Sequence, residues 1–378
     1  MKYLKDLTQR ELKNKICLLR VDLNIDDTDL KTIKKNKFPL RLEAILPTIN
    51  FLRKNNAKIV ILSHRGRPSK AQTNKEFSLK HFIKIFSILL KEPVNFIGDF
   101  DFLKARSKID NSSAGSVFLL ENLRFIKCEE ENNINFAKKL ADLGDIYIND
   151  AFAVSHRKNA SITAITNFLP SYAGFLMEKE IKNLSQAFNK FKKPFVVILG
   201  GAKISDKIGL INNFYRKADY FLLGGGIATT LFASQGLPVG NSLYEKNWRG
   251  DKKIIDGVKK GKIILPIDVA VKKNEILDIG PLTIKKYSDI IKKAETIIWN
   301  GPMGYFEDPR FAKGSKAMAE EISKNRAFTV IGGGETTAVF ILKTKIKKLK
   351  SNIFLSTGGG AMLEYLAGGK LPGLKALK

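Results

Sequence analysis

Between residues 195 and 360, five short apolar runs each stop in a glycine-rich turn: Val196-Val197-Ile198-Leu199-Gly200-Gly201, Tyr220-Phe221-Leu222-Leu223-Gly224-Gly225-Gly226, Ile297-Ile298-Trp299-Asn300-Gly301, Val330-Ile331-Gly332-Gly333-Gly334 and Phe354-Leu355-Ser356-Thr357-Gly358-Gly359-Gly360. Short unbroken apolar runs bounded by turns read as strands buried on both faces, the habit of parallel sheets flanked by helices. The first 165 residues alternate in the same way. Ile16–Val21, Lys58–Leu62, Val94–Ile97, Val117–Leu120 and Ile146–Ile148 predict strands, while 41–55, 79–91 and 132–143 predict helices. Pro170 breaks the pattern, and Met177–Phe191 then predicts one amphipathic helix with Ile181, Leu184, Phe188 and Phe191 on its apolar side. The expected fold is α/β, with two doubly wound parallel-sheet domains joined by a connector helix and a cleft between them. The expected boundaries are 1–170 for the first domain, 171–191 for the connector and 192–365 for the second. A turn-rich tail, 366–378, is expected to return toward the first domain.

Length and composition agree with this division. A chain of 378 residues exceeds one ordinary core, and a hydrophobic fraction of 44% suffices for two. Its apolar runs are strand-sized, short of the roughly 20 residues of a membrane span. The opening Met1-Lys2-Tyr3-Leu4-Lys5-Asp6 has no secretory apolar region, and two cysteines, Cys17 and Cys128, form no disulfide framework or metal-ligand spacing. A soluble cytoplasmic protein is expected, with no membrane partner. The formal charge of +28 raises nucleic-acid binding, but the lysines are dispersed in runs such as Lys345-Ile346-Lys347-Lys348-Leu349-Lys350, which read as the wet face of a helix.

Parallel strands gather their carboxyl-end loops at one rim, where open α/β sheets hold ligands. Glycine lets backbone N–H groups approach phosphate, and a helix starting after the turn adds its positive dipole end. The second half therefore reads as a nucleotide cradle, although it fits neither Gly-x-x-x-x-Gly-Lys-[Ser/Thr] nor Gly-x-Gly-x-x-Gly. Lys203 and Lys207, four apart, would share one face of a first helical turn and reach phosphate oxygens, or simply be solvated lysines. Glu335, beside Thr336 and Thr337 after a glycine turn, is a candidate Mg²⁺ ligand or an acid suited to the helix dipole. The first half offers arginines at its strand ends: Arg20-Val21-Asp22-Leu23-Asn24, Arg41, Ser63-His64-Arg65-Gly66-Arg67-Pro68, Glu121-Asn122-Leu123-Arg124-Phe125 and His156-Arg157. Guanidinium forks suit phosphate and carboxylate, so this set reads as an anion site.

Six ordered segments, Arg20-Val21-Asp22-x-Asn24, Ser63-His64-x-Gly66-Arg67-Pro68, Glu121-Asn122-Leu123-Arg124-Phe125, Gly200-Gly201-Ala202-Lys203-x-Ser205-Asp206-Lys207, Trp299-Asn300-Gly301-Pro302-Met303-Gly304 and Ser356-Thr357-Gly358-Gly359-Gly360-Ala361, resemble the phosphoglycerate kinase family. The resemblance implies reversible phosphoryl transfer from 1,3-bisphosphoglycerate to Mg-ADP, giving 3-phosphoglycerate and ATP, by a monomer of glycolysis and gluconeogenesis. It assigns the substrate to Asp22, Asn24, Arg41, His64, Arg67, Arg124 and Arg157. It assigns the nucleotide to Gly201, Lys203, Lys207, Gly224, Gly225, Asn300, Glu307, Gly332, Gly333, Gly334, Glu335 and Thr336, with Glu335 as the metal carboxylate. Arg41 and Lys203 would carry the chief catalytic charges, and Gly358 and Gly359 would open the last helix toward the transferred group. The chain differs from the family pattern in having Glu335 where aspartate is usual, Asn159 where a second histidine is common, Arg65 for an aliphatic residue, and Ile25-Asp26 before a lengthened loop to Arg41.

The resemblance also implies direct in-line transfer without a phospho-enzyme, on closure about residues 170–191, because reacting atoms must come within about 3–3.5 Å. Two other readings remain: another small-molecule phosphotransferase or acyl-phosphate enzyme on the same architecture, and a nucleic-acid-binding protein exploiting the charge. No specific nucleic-acid motif is present to favour the second.

Overall fold

A computed structural model describes residues 1–25, 38–68, 75–344 and 350–378. The lengthened loop before Arg41 and most of the lysine run at 345–350 lie outside these described residues. The chain divides into two compact units, Met1–Ile181 with Lys370–Lys378, and Lys182–Gly369.

The first unit holds six parallel strands: β1 (Ile16–Arg20), β2 (Lys58–Leu62), β3 (Val94–Ile97), β4 (Val117–Leu120), β5 (Ile146–Asn149) and β6 (Ser171–Ala173). Their order is β3-β4-β2-β1-β5-β6. Strand β1 sits inside the sheet, with Cys17 opposite Ile59 on one side and Ile146 on the other. All five of its residues are buried, which is why its sequence is nearly continuous in apolar character. The helix Leu40–Lys54 buries Leu42, Ile45, Thr48, Ile49 and Leu52, a three-to-four spacing that lays one face on the sheet. This face fixes the start of the helix, and hence Arg41, at the rim of the sheet.

The second unit repeats the plan with β7 (Phe195–Leu199), β8 (Tyr220–Leu223), β9 (Ile263–Ile264), β12 (Thr296–Asn300), β13 (Phe328–Gly332) and β14 (Ile353–Ser356), ordered β14-β13-β12-β7-β8-β9 and parallel throughout. Ile298 faces Val330 and Val197 across the two neighbouring pairs. An antiparallel pair, β10 (Val269–Lys272) with β11 (Glu275–Ile279), stands apart from this sheet.

Differences from expectation are local. The predicted helix Met177–Phe191 runs from Phe175 to Asn189, so Phe191 lies beyond its end and packs instead against Phe195 at 5.3 Å. Its start is fixed by the buried Asp150 carboxylate, which accepts the Met177 N–H at 2.9 Å and the Thr48 hydroxyl at 2.6 Å. The tail is tied to the first unit: Gly373 N–H donates to the Ser155 carbonyl at 2.8 Å, and Leu371, Leu374 and Leu377 are buried. Among the described residues no helix is long and apolar enough to cross a membrane.

Candidate active site

In the second unit, the turns after β7, β12 and β13 and the start of the helix Gly360–Leu366 surround a cleft of about 500 Å³. Its walls include Gly200, Gly201, Lys203, Lys207, Asn300, Gly333, Glu335 and Thr336. The turns are locked to one another. Gly200 N–H donates to the Asn300 carbonyl at 3.0 Å, Gly201 N–H to the Pro302 carbonyl at 3.0 Å, and Gly301 N–H to Thr336 Oγ1 at 2.7 Å. Close approach explains the glycines. A Cβ on Gly200 would lie 1.9 Å from the Pro302 carbonyl oxygen, and Gly301 combines a φ of +90° with the Gly200 carbonyl 2.2 Å from where its Cβ would be.

Buried Asn300 ties the cleft together, its Nδ2 donating to the Gly332 carbonyl at 2.7 Å while its Oδ1 accepts from Lys207 Nζ. Burial lowers the Lys207 pKa to about 8, against the opposing pull of Asp206 and Glu335. Glu335, in the first turn of the helix Gly334–Thr344, is raised from the ordinary carboxylate value, first by desolvation and then by Glu307. A poised ammonium, a carboxylate with raised proton affinity and the N–H groups of a helix start make a site that favours a polyanion.

In the first unit, the strand-end arginines converge on His64. This ring is 2% exposed, and its pKa is held well below the usual value by burial and then by Arg20, Arg124, Arg157 and Arg41. Arg41 Nη1 lies 3.1 Å from Asp22 Oδ2 and donates to the Asn24 carbonyl at 2.8 Å. Asn24 Oδ1 accepts the Gly66 N–H at 2.8 Å, tying the β1 and β2 loops together. Arg124 is buried and its Nε lies 3.2 Å from Glu130 Oε1, while burial and Arg157 lower its pKa. Arg67 is exposed, and Arg157 is half-buried. Several guanidinium groups around a neutral imidazole make a surface whose chemistry suits an anion.

The remaining site residues lie on and around these turns. Lys203 precedes the helix, which starts at Ser205, so only Lys207 lies in its first turn, although both line the cleft. Gly359 lines the cleft but buried Gly358 does not, and the helix they precede is followed by another, Pro372–Ala376. Gly225 borders a separate small apolar pocket with Ala228, Phe232, Ile276, Leu277 and Met303, and Gly224 caps the helix Gly225–Ser234. Gly332 and Glu307 are not among the cleft walls, but Glu307 is near enough to act on Glu335.

Arg20 has no role among the site residues expected from the sequence. It is 1% exposed and reaches His64 Nδ1 at 3.1 Å. The available signal was an arginine closing an otherwise apolar strand, a charge that must find partners once buried.

The profile described as phosphoglycerate kinase matches residues 4–369. The chain is 43% identical over 394 aligned positions to the phosphoglycerate kinase of Thermosipho africanus, covering 97% of this chain and 96% of the relative. It is 42% identical over 385 positions to that of Herpetosiphon aurantiacus, covering 96% of each. Solved structures of the enzymes from Coxiella burnetii and Pyrococcus horikoshii OT3 align with TM-scores of 0.80 and 0.81, at 35% and 34% identity. The first alignment covers 99% of this chain and 98% of its counterpart, and the second 100% and 98%. A near-complete profile match, together with relatives above 40% identity over nearly the whole chain, makes this chain a member of the phosphoglycerate kinase family.

Proposed function

We propose that the chain transfers a phosphoryl group reversibly between 1,3-bisphosphoglycerate and Mg-ADP, giving 3-phosphoglycerate and ATP. The observation that carries this reading is the cleft in which Lys203, Lys207, Asn300 and the helix start at Gly334-Glu335-Thr336 face one another. In this reading, Lys203 and Lys207 hold phosphate oxygens, while Gly225 and its apolar neighbours take the base and Glu307 the ribose side. Asp22, Asn24, Arg41, His64, Arg67, Arg124 and Arg157 hold the three-carbon acid. The family membership supports both assignments.

Phosphoryl transfer asks for alignment and positive charge more than covalent work from the protein. Arg41 and Lys203 would supply the mobile charge, and Gly359 with the following helix start would supply N–H donors. The oxygen donors of the cleft suit Mg²⁺, a hard cation that takes one or two carboxylates together with nucleotide phosphates. Among the described residues no group of three or more His, Cys, Asp or Glu could hold a metal alone. Glu335 would hold it, and the bound ion would neutralise phosphate charge.

Because one ligand set belongs to each unit and reacting atoms must come within about 3–3.5 Å, rearrangement of the units is part of the proposed cycle. Action as a monomer is part of this reading, and the family's glycolytic role supports a cytoplasmic site of action. The test is a coupled assay with 3-phosphoglycerate, ATP and Mg²⁺, run beside other carboxylate acceptors. Equal turnover of unrelated acids would exclude the proposed substrate. Small-angle scattering should show compaction only with both ligands bound, and an unchanged profile at saturation would remove closure from the cycle.

A further inference from the structure

We infer that Arg20 is a positioning residue that fixes His64 as a neutral imidazole whose single N–H, on Nε2, serves the substrate. The inference deepens the substrate reading proposed above and rests on it. Arg20 Nη2 lies 3.1 Å from His64 Nδ1. A guanidinium has donors and no acceptor, so Nδ1 must be the accepting nitrogen and cannot carry a proton. The remaining proton is then on Nε2, which is 3.9 Å from Asp22 Oδ1, beyond hydrogen-bond reach. That N–H is directed to a ligand oxygen.

Arg20 is itself held rigidly. Its Nε donates to Ser161 Oγ at 2.8 Å, and another nitrogen donates to the Val21 carbonyl. Ser161 is in turn fixed by Glu129, through Oγ to Oε1 at 2.6 Å and through its N–H to Oε2 at 2.9 Å. The charged groups that act on the ring come from several elements: Arg20 and Asp22 from the end of β1, Arg41 from its helix, and Arg124 and Arg157 from later loops. Burial among four guanidinium groups lowers the His64 pKa well below its ordinary value, which agrees with a ring that stays neutral. A charged ring would also need a proton on Nδ1 facing a guanidinium N–H. In this site, therefore, His64 gives a directed hydrogen bond and the arginines give the charge.

The chain has three histidines, so ¹⁵N spectra of the ligand-free protein can be assigned by the loss of one set in His64→Gln. The wild type should show the neutral Nε2–H pattern from about pH 5.5 to 8; an Nδ1–H pattern or a charged ring in that range would overturn the inference. In Arg20→Gln the ring should lose its tautomer preference and titrate nearer its ordinary range of about 6.5. The KM for 3-phosphoglycerate should acquire a matching pH dependence. A purely structural Arg20 would lower the melting temperature without moving the tautomer, and that result would also overturn the inference. His64→Gln, whose amide nitrogen can replace Nε2, should raise that KM far less than His64→Asn, for which about 10–100-fold is expected from loss of a hydrogen bond to a charged oxygen. Equal effects would count against it. The spectrum of the wild type decides the tautomer even if Arg20→Gln fails to fold. Because it needs no substrate, it is judged separately from the phosphotransfer reading.

Discussion

Arg41 Nη1 stands 3.1 Å from Asp22 Oδ2, so the arginine assigned to the moving charge is paired with a carboxylate at the end of β1. The pair keeps the guanidinium at the sheet rim without burying it, since the Arg41 side chain remains 31% exposed. An incoming anion therefore meets a charge already oriented. Arg41→Ala should lower kcat by about 10²–10³-fold, the scale for loss of one transition-state donor, with a smaller change in the KM for 3-phosphoglycerate. Steady-state kinetics checks this, and normal turnover would remove Arg41 from the chemistry.

Lys207 gives a pH dependence of defined sign. Its pKa of about 8 means that the ammonium is lost as pH rises through that value, and with it the attraction for phosphate. The KM for ATP should rise above about pH 8, approaching tenfold per pH unit if the charge is essential. Lys207→Arg retains a cation throughout and should flatten the profile. An unchanged slope in Lys207→Arg would assign the dependence to another group.

Asp150 predicts a stability effect away from the ligands. Burial raises its pKa to about 7, and the bonds from Thr48 and Met177 only partly oppose this. A carboxyl with a raised folded pKa stabilises the fold below its ordinary value of 3.8 and loses that contribution as pH rises through about 7. Asp150→Asn, neutral at every pH and still able to accept from Met177, should gain melting temperature relative to wild type over that window, on the order of several degrees. Parallel melting curves from pH 4 to 8 would refute the assignment.

Glu335 tests the metal role. If its carboxylate holds Mg²⁺, Glu335→Asp should preserve or improve Mg-dependent turnover, while Glu335→Gln should raise the Mg²⁺ concentration needed for half activity by about tenfold or more. Titration with Mg²⁺ at fixed ATP separates the two. An unchanged requirement in Glu335→Gln would leave the residue as a helix-dipole partner alone.

The strands of both sheets were legible because they are buried on both faces and so carry unbroken apolar sequence. The weaker elements were not. β6 and β9 are short edge strands, and β10 is only partly buried, so none carries that signature. The candidate arginines were legible as a set because strand ends share one rim, but their partners were not. Ser161 and Arg20 are 141 positions apart, and no spacing rule links them. The four-residue interval from Lys203 to Lys207 predicts a shared helical face, whereas the chain becomes helical only from Ile204 and Ser205. Local periodicity could not reveal the cross-turn bonds of Gly200 and Gly201 that hold the chain outside the helix at that point.

The anchoring of Lys370–Lys378 against Ser155 has a further effect on the order of events at the ribosome. Residues 182–369 form one uninterrupted stretch and can collapse as soon as they emerge. The amino-terminal body, although made first, lacks Leu371, Leu374 and Leu377 until translation has passed through its partner. The first of the two units to appear is thus the last to be completed.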